Sequence, residues 1–487
     1  MAALTRARSR RSLPIRPMAV VGAMLLVVVV SQVASQLRSA AAPARQAPVA
    51  VDPLQPAVGD LDAGAISGAG GSSGASSGGG TAAAADLGAR DVARIKANIE
   101  FWSGRVARDR DDFISSNRWG ISEIELARAT GDLTAFLRAD AAFNTTLARD
   151  PNNAAAQGYK GSVLVSLHRF VDAAALARTV LDAHPDDPVA LATLGDASLE
   201  LGDLAAARVA YTRANDVARS AATLARLGHL AFISGDATGA LHATTAAVAL
   251  AGSEGAEGER AAFYHYQLAD VLVSTGDRTD AGKAYAAALA ADPGSFLAHS
   301  GLARVAAADG NLDEAIRQLS AAISIVPQPE FLARRGDLYT LRAAAGDPKR
   351  AADDYATVEA IAKLAGEAAS VYDRTLALYL ANHGLGPARA VALADAELAV
   401  RKDVYGYDAD AWALLAAGRP ADGDAMMSRA MAFGTRDAKL LYHAGMIASA
   451  LGQTDRARTL LEASLALDPS FDPLQVARAR AMLATLR

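Results

Sequence analysis

The 487-residue chain contains no cysteine, which excludes disulfides, thiolate metal sites and a cysteine nucleophile. Aromatic residues are scarce: 5% of the chain, against 52% apolar residues in all, most of them alanine and leucine. That balance suits closely packed helices and disfavours sheets, which draw on aromatic and β-branched side chains. Lysine supplies only seven of 48 basic residues. Positive charge is also missing where nucleic acid would need it. Residues 1–38 hold six arginines and no acid, leaving −11 for the remainder of a chain whose formal net charge is −5. A body of that sign does not neutralise a phosphate backbone. The eight histidines form no HExxH or His–carboxylate metal spacing, so neither a metal nor a cofactor is expected. "GDRTDAGKA" (Gly276–Ala284) has five residues between its glycines and no Ser/Thr after the lysine, and fails as a phosphate loop. No catalytic residue is assigned, and the chain is read as non-enzymatic.

One long apolar run is present, "MAVVGAMLLVVVV" (Met18–Val30), after the arginine-rich start. Thirteen residues suit a signal-peptide core, whereas Met18–Leu37 is long enough to span a bilayer. A cleaved signal and an uncleaved anchor both remain open. Either keeps the arginines in the cytoplasm and sends the body across. "SRRSL" (Ser9–Leu13) resembles a twin-arginine export signal, with Pro14 where an apolar residue is usual. Residues 1–37 are thus a basic N-terminus plus signal or anchor. Residues 38–88, with Pro43, Pro48, Pro53, Pro56 and "GAGGSSGASSGGG" (Gly68–Gly80), read as a disordered linker.

The remainder repeats. Segments of 34 residues start at Ala154, Pro188, Ala221, Ala262, Phe296, Val404 and Ala438. Their eighth position is Gly161, Gly195, Gly228, Ala269, Ala303, Ala411 and Gly445; their twentieth is Ala173, Ala207, Ala240, Ala281, Ala315, Gly423 and Ala457. A turn glycine recurs at the fifteenth, as in Gly202, Gly235, Gly276, Gly310, Gly418 and Gly452. Prolines such as Pro185, Pro293, Pro327 and Pro469 close units. A longer unit starts near Phe113, and two irregular ones fit between Pro329 and Lys402. Small residues at eight and twenty predict close backbone approach, with Gly195 meeting Ala207. "GSEGAEGE" (Gly252–Glu259) interrupts the spacing and is expected to be a flexible loop.

This pattern resembles the tetratricopeptide repeat family, a helix–turn–helix of 34 residues. The resemblance implies an all-α fold, an α-solenoid (a right-handed superhelix) of about ten units over 113–471. Residues 89–112 and 472–487 are expected to be capping helices. In that family, helix A residues at positions two, five, nine and twelve tend to face a concave groove that binds peptides. The resemblance therefore implies a groove formed by Asp196, His229, Phe263, Tyr266, Asp270, Arg304, Asp337, Trp412 and Tyr442. Acids outnumber the one arginine, which favours a basic partner segment. The expected function is a protein–protein interaction scaffold or assembly factor of a bacterial cell envelope, on its extracytoplasmic face, with a membrane contact through the N-terminal segment. The alternative is a regulatory or substrate-recruiting subunit of an enzyme complex.

Overall fold

The computed structural model describes residues 80–364 and 373–486, which lie in the larger of two compact units (Val49–Arg487). The apolar run Met18–Leu37 and the arginine pair fall outside them. Among the described residues no helix is long and apolar enough to cross a membrane.

Those residues form 22 helices and no strand. Helix α1 (Gly80–Arg108) precedes ten hairpins. The first five are α2/α3 (Phe113–Thr130, Leu133–Arg149), α4/α5 (Ala154–Ser166, Phe170–Ala183), α6/α7 (Pro188–Glu200, Leu204–Val217), α8/α9 (Ala221–Ile233, Ala237–Ser253) and α10/α11 (Gly258–Ser274, Arg278–Ala291). The next five are α12/α13 (Phe296–Ala308, Leu312–Ile325), α14/α15 (Pro329–Arg342, Asp347–Leu364), α16/α17 (Asp373–His383, Pro387–Val400), α18/α19 (Val404–Ala416, Pro420–Met431) and α20/α21 (Ala438–Ala450, Thr454–Leu467). Helix α22 (Gln475–Thr485) closes the chain. Helix α1 starts inside the stretch read as linker, where the alanines at 82–85 favour helix.

Local chemistry explains the boundaries. Six of the seven regular units begin their first helix at the residue that the repeat phase marks; the exception is α10. Asp187, Asp203, Asp236, Asp277, Ser295 and Asp437 each accept an N–H from the first turn of the helix they precede. Pro188, Pro329, Pro387 and Pro420 occupy first helical positions, where no N–H is needed. The insertion at Gly252–Glu259 is not a long loop. It is absorbed by lengthening α9 to Ser253 and starting α10 at Gly258, so only 254–257 are non-helical.

The small-residue columns are the core of each hairpin. Ala173, Ala207, Ala240, Ala281, Ala315 and Ala457 are fully buried. The expected approach of backbones occurs at Gly228, where an added Cβ would lie 3.4 Å from the Ala240 carbonyl oxygen, and at Gly423, 2.9 Å from that of Ala411. At Gly195 the expectation of contact with Ala207 is corrected. A Cβ there would overlap the ring of Tyr211, which lies across the glycine. The Tyr285 ring covers Gly301 and the Tyr355 ring covers Gly336 in the same manner. Glycine thus makes room for a buried tyrosine, and close packing offsets its lower helix propensity.

The hairpins also meet neighbours far along the chain. The Lys402 N–H donates to the Glu200 carbonyl at 2.8 Å, and the Arg401 guanidinium pairs with the Glu200 carboxylate. The Thr435 hydroxyl donates to the Ile233 carbonyl at 2.5 Å, and Arg278 donates to Ser470 Oγ at 2.8 Å. These side-chain partners are 192 to 202 residues apart, or roughly six repeat lengths. Successive hairpins therefore wind through one turn in roughly six units, and the next turn stacks on the first. One apolar cluster joins Leu199, Leu230, Phe232 and Val271 to Val404, Met427, Leu440 and Ile447 across that junction.

Candidate partner-binding site

The position-nine aspartates are bound within the array. Asp196 accepts a hydrogen bond from the Tyr211 hydroxyl at 2.8 Å and two from the Arg226 guanidinium at 2.8 and 2.9 Å. Asp270 accepts from the Tyr285 hydroxyl, with Arg304 at 3.9 Å. Asp337 accepts from the Tyr355 hydroxyl and pairs with His383 Nε2, each at 2.8 Å. The pattern is regular: an acid on one first helix, a tyrosine on the second helix of the same hairpin, and a base on a later first helix. Burial and the adjacent carboxylate push the Tyr211 phenol well up. The Asp337 hydrogen bond and charge outweigh burial at His383 and raise its imidazole.

This corrects the groove inferred from the resemblance. Asp196, Phe263, Asp270, Trp412 and Tyr442 are buried, and the two aspartates already accept from Tyr211 and Tyr285. Phe263 packs among Ala221, Leu224 and Ala247. Trp412 stacks on His443 with ring centroids 4.1 Å apart and donates its indole N–H to Asn382 at 2.8 Å. His229, Tyr266, Arg304 and Asp337 are half-buried.

The structure does bring Arg304 and Asp337 together, at one cavity of about 150 Å³. Its wall is formed by α12, α14 and α16, and it is closed by the first turn of α20 and the 468–473 loop. Tyr266 lines a smaller recess of about 20 Å³ that shares Ser300, Arg304, Glu330 and Arg334 with it. The cavity also takes in His383, Lys439, His443 and Asp472. Sequence reasoning missed Asp472 because it precedes α22 and lies outside the repeat frame; its Oδ1 accepts the N–H groups of Leu474 and Gln475. His443 is among the eight histidines that show no metal-ligand spacing. His443 is fully buried, its Nδ1 lies 2.8 Å from Asp408, and its Nε2 has no hydrogen-bond partner. Burial pushes the Asp472 carboxyl up; the backbone N–H of Gln475 opposes this, and the Asp337 charge reinforces it.

Tetratricopeptide repeat family models match residues 124–188, 160–227, 266–328 and 438–471. Among solved structures, MamA is 24% identical over 34% of this chain and 92% of its own, with a TM-score of 0.28. A tetratricopeptide repeat protein from Parabacteroides merdae is 16% identical over 55% and 99%, at 0.30. A monomeric IFIT1 mutant with Gppp-AAAA is 14% identical over 66% and 71%, at 0.44. No curated protein matches. Repeats of this kind mark a protein–protein interaction scaffold in the general sense. With 34-residue hairpins in phase, small residues at their crossings and the family's models matching along the array, the chain is a tetratricopeptide repeat protein.

Proposed function

We infer that this protein is a non-enzymatic scaffold or assembly factor of a bacterial cell envelope, holding a partner segment against the first-helix side of the array. The observation that carries the reading is the cavity where Arg304 and Asp337 converge, with Tyr266 in the adjoining recess. An aromatic anchor beside paired charges suits recognition of a peptide. The basic flank before Met18–Leu37 supports export of the array, held at or released from the membrane by that segment.

Site-specific crosslinking tests the binding face. A photoreactive residue replacing Tyr266 is expected to capture a partner in cells. One replacing Val209, which is 71% exposed on α7, is expected not to. Capture only from Val209 overturns the reading. A reporter fused after Gly80 is expected to be active outside the cytoplasm; activity only inside removes the envelope assignment.

A further inference from the structure

We propose that the cavity between α12, α14, α16, α20 and the 468–473 loop receives one cationic side chain, an arginine guanidinium, from the partner segment. This rests on the proposed scaffold function and says what the site recognises. Size comes first. About 150 Å³ matches cavities that hold a single ring-sized group. A whole helix does not fit, but one planar side chain does.

Charge selects the sign. The lining carries five carboxylates (Glu330, Asp337, Asp437, Asp468 and Asp472) against three permanent cations, Arg304, Arg334 and Lys439. Arg304 is drawn toward Asp270, Arg334 pairs with Glu330, His383 with Asp337, and Arg278 lies 3.8 Å from Asp468; Asp472 is held by the backbone N–H groups of Leu474 and Gln475. Burial first, and the nearby Asp337 charge after it, raise the Asp472 carboxyl against the N–H groups of Gln475 and Leu474 and the Arg334 charge, a cost to its ionised form. An incoming cation relieves it.

A second, independent observation concerns His443. Its Nδ1 lies 2.8 Å from Asp408 Oδ1, and an imidazole that donates there in its neutral form carries its lone pair on Nε2. That nitrogen is buried without a partner, and the residue lines the cavity. A buried acceptor left unpaired carries a free-energy cost that a donor removes. Guanidinium offers five N–H donors in one plane, and the lining presents both the Asp472 carboxylate and His443 Nε2. Tyr379 and Phe471 also line the cavity and suit the face of such a cation.

Saturation-transfer NMR on the full chain tests this with four probes: acetyl-Ala-Ala-Arg-Ala-Ala-amide, the same peptide with citrulline, the same with glutamate, and free agmatine. The arginine peptide is expected to bind at least tenfold tighter than each of the others. Glutamate binding as well as arginine overturns the sign, citrulline binding as well overturns the charge, and agmatine binding as well overturns a partner side chain as the source. Asp472→Asn keeps an oxygen acceptor for the Leu474 and Gln475 N–H groups but loses the charge. It is expected to weaken the arginine peptide about tenfold with an unchanged melting temperature. Unchanged affinity overturns the role of Asp472. Failure here with crosslinking intact at Tyr266 sinks the cavity proposal alone, whereas peptide binding with crosslinks only at Val209 sinks the groove reading.

Discussion

The turn glycines of the early hairpins and those of the later ones share one backbone conformation and differ in their surroundings. Gly202 and Gly235 have φ of +82° and +78°; Gly310, Gly418 and Gly452 have +76°, +73° and +72°. All five close an α-helix in the left-handed region, where glycine is favoured. Yet a Cβ at Gly202 or Gly235 would run into the carbonyl of Lys402 or Gly434, whereas at the other three it would meet nothing within 4 Å. The first set carries the next turn of the array; the second set faces open space. One sequence signal therefore serves two physical purposes, a local one everywhere and a tertiary one at the stacked turns.

The largest expected effect tests the stacking itself. Arg401→Met leaves the Glu200 carboxylate buried without its guanidinium, and is expected to cost about 3–5 kcal/mol. The exposed pair Arg213–Asp186 is the control, with Arg213→Met expected to cost about 0–1 kcal/mol. Equal midpoints in urea unfolding would show that the turns do not rest on one another.

Next is the glycine comparison. Gly235→Ala and Gly418→Ala both incur left-handed strain of about 1–2 kcal/mol. Only Gly235→Ala adds overpacking, of about 1–3 kcal/mol. Indistinguishable thermal unfolding of the two variants would erase the difference between the regions.

The smallest effect concerns a carboxylate that no stacking contact satisfies. Asp410 on α18 is 3% exposed and its Oδ1 lacks a hydrogen-bond partner. Burial, with Asp395 adding, pushes its carboxyl up to about 6 from 3.8. A raised acid binds its proton more tightly when folded, so stability falls as pH climbs from 3.8 to about 6 and stays lower above. Asp410→Asn is expected to add about 1–2 kcal/mol at pH 7.5 and to make no difference below the unfolded value. A gain that persists at pH 3.5 would assign the effect to something other than charge.

Much of the fold was legible because a tetratricopeptide hairpin is specified within 34 residues. Spacing placed Gly195, Ala207 and Gly202 at their helix, crossing and turn, and six first helices begin where the phase said. The site was less legible. Asp196 and Asp270 sit at the positions expected of groove residues, but Tyr211 and Tyr285 reach across to them and close them in. Position in the repeat names the helix face. It does not reveal what a side chain fifteen residues later, or a base on another hairpin, brings to that face.

The helices, their caps, the left-handed turns and the pairing of each hairpin follow from chain order alone, because they depend on nearby residues and on small side chains at fixed spacing. The approach of Gly235 to Gly434, the pairing of Arg401 with Glu200 and the meeting of Asp472 and Asp337 at one cavity arise in the folded array. Each of those contacts depends on the rotation accumulated over roughly six units, through the lengthened pair α9/α10 and the irregular hairpins between Pro329 and Lys402. No local pattern encodes that sum.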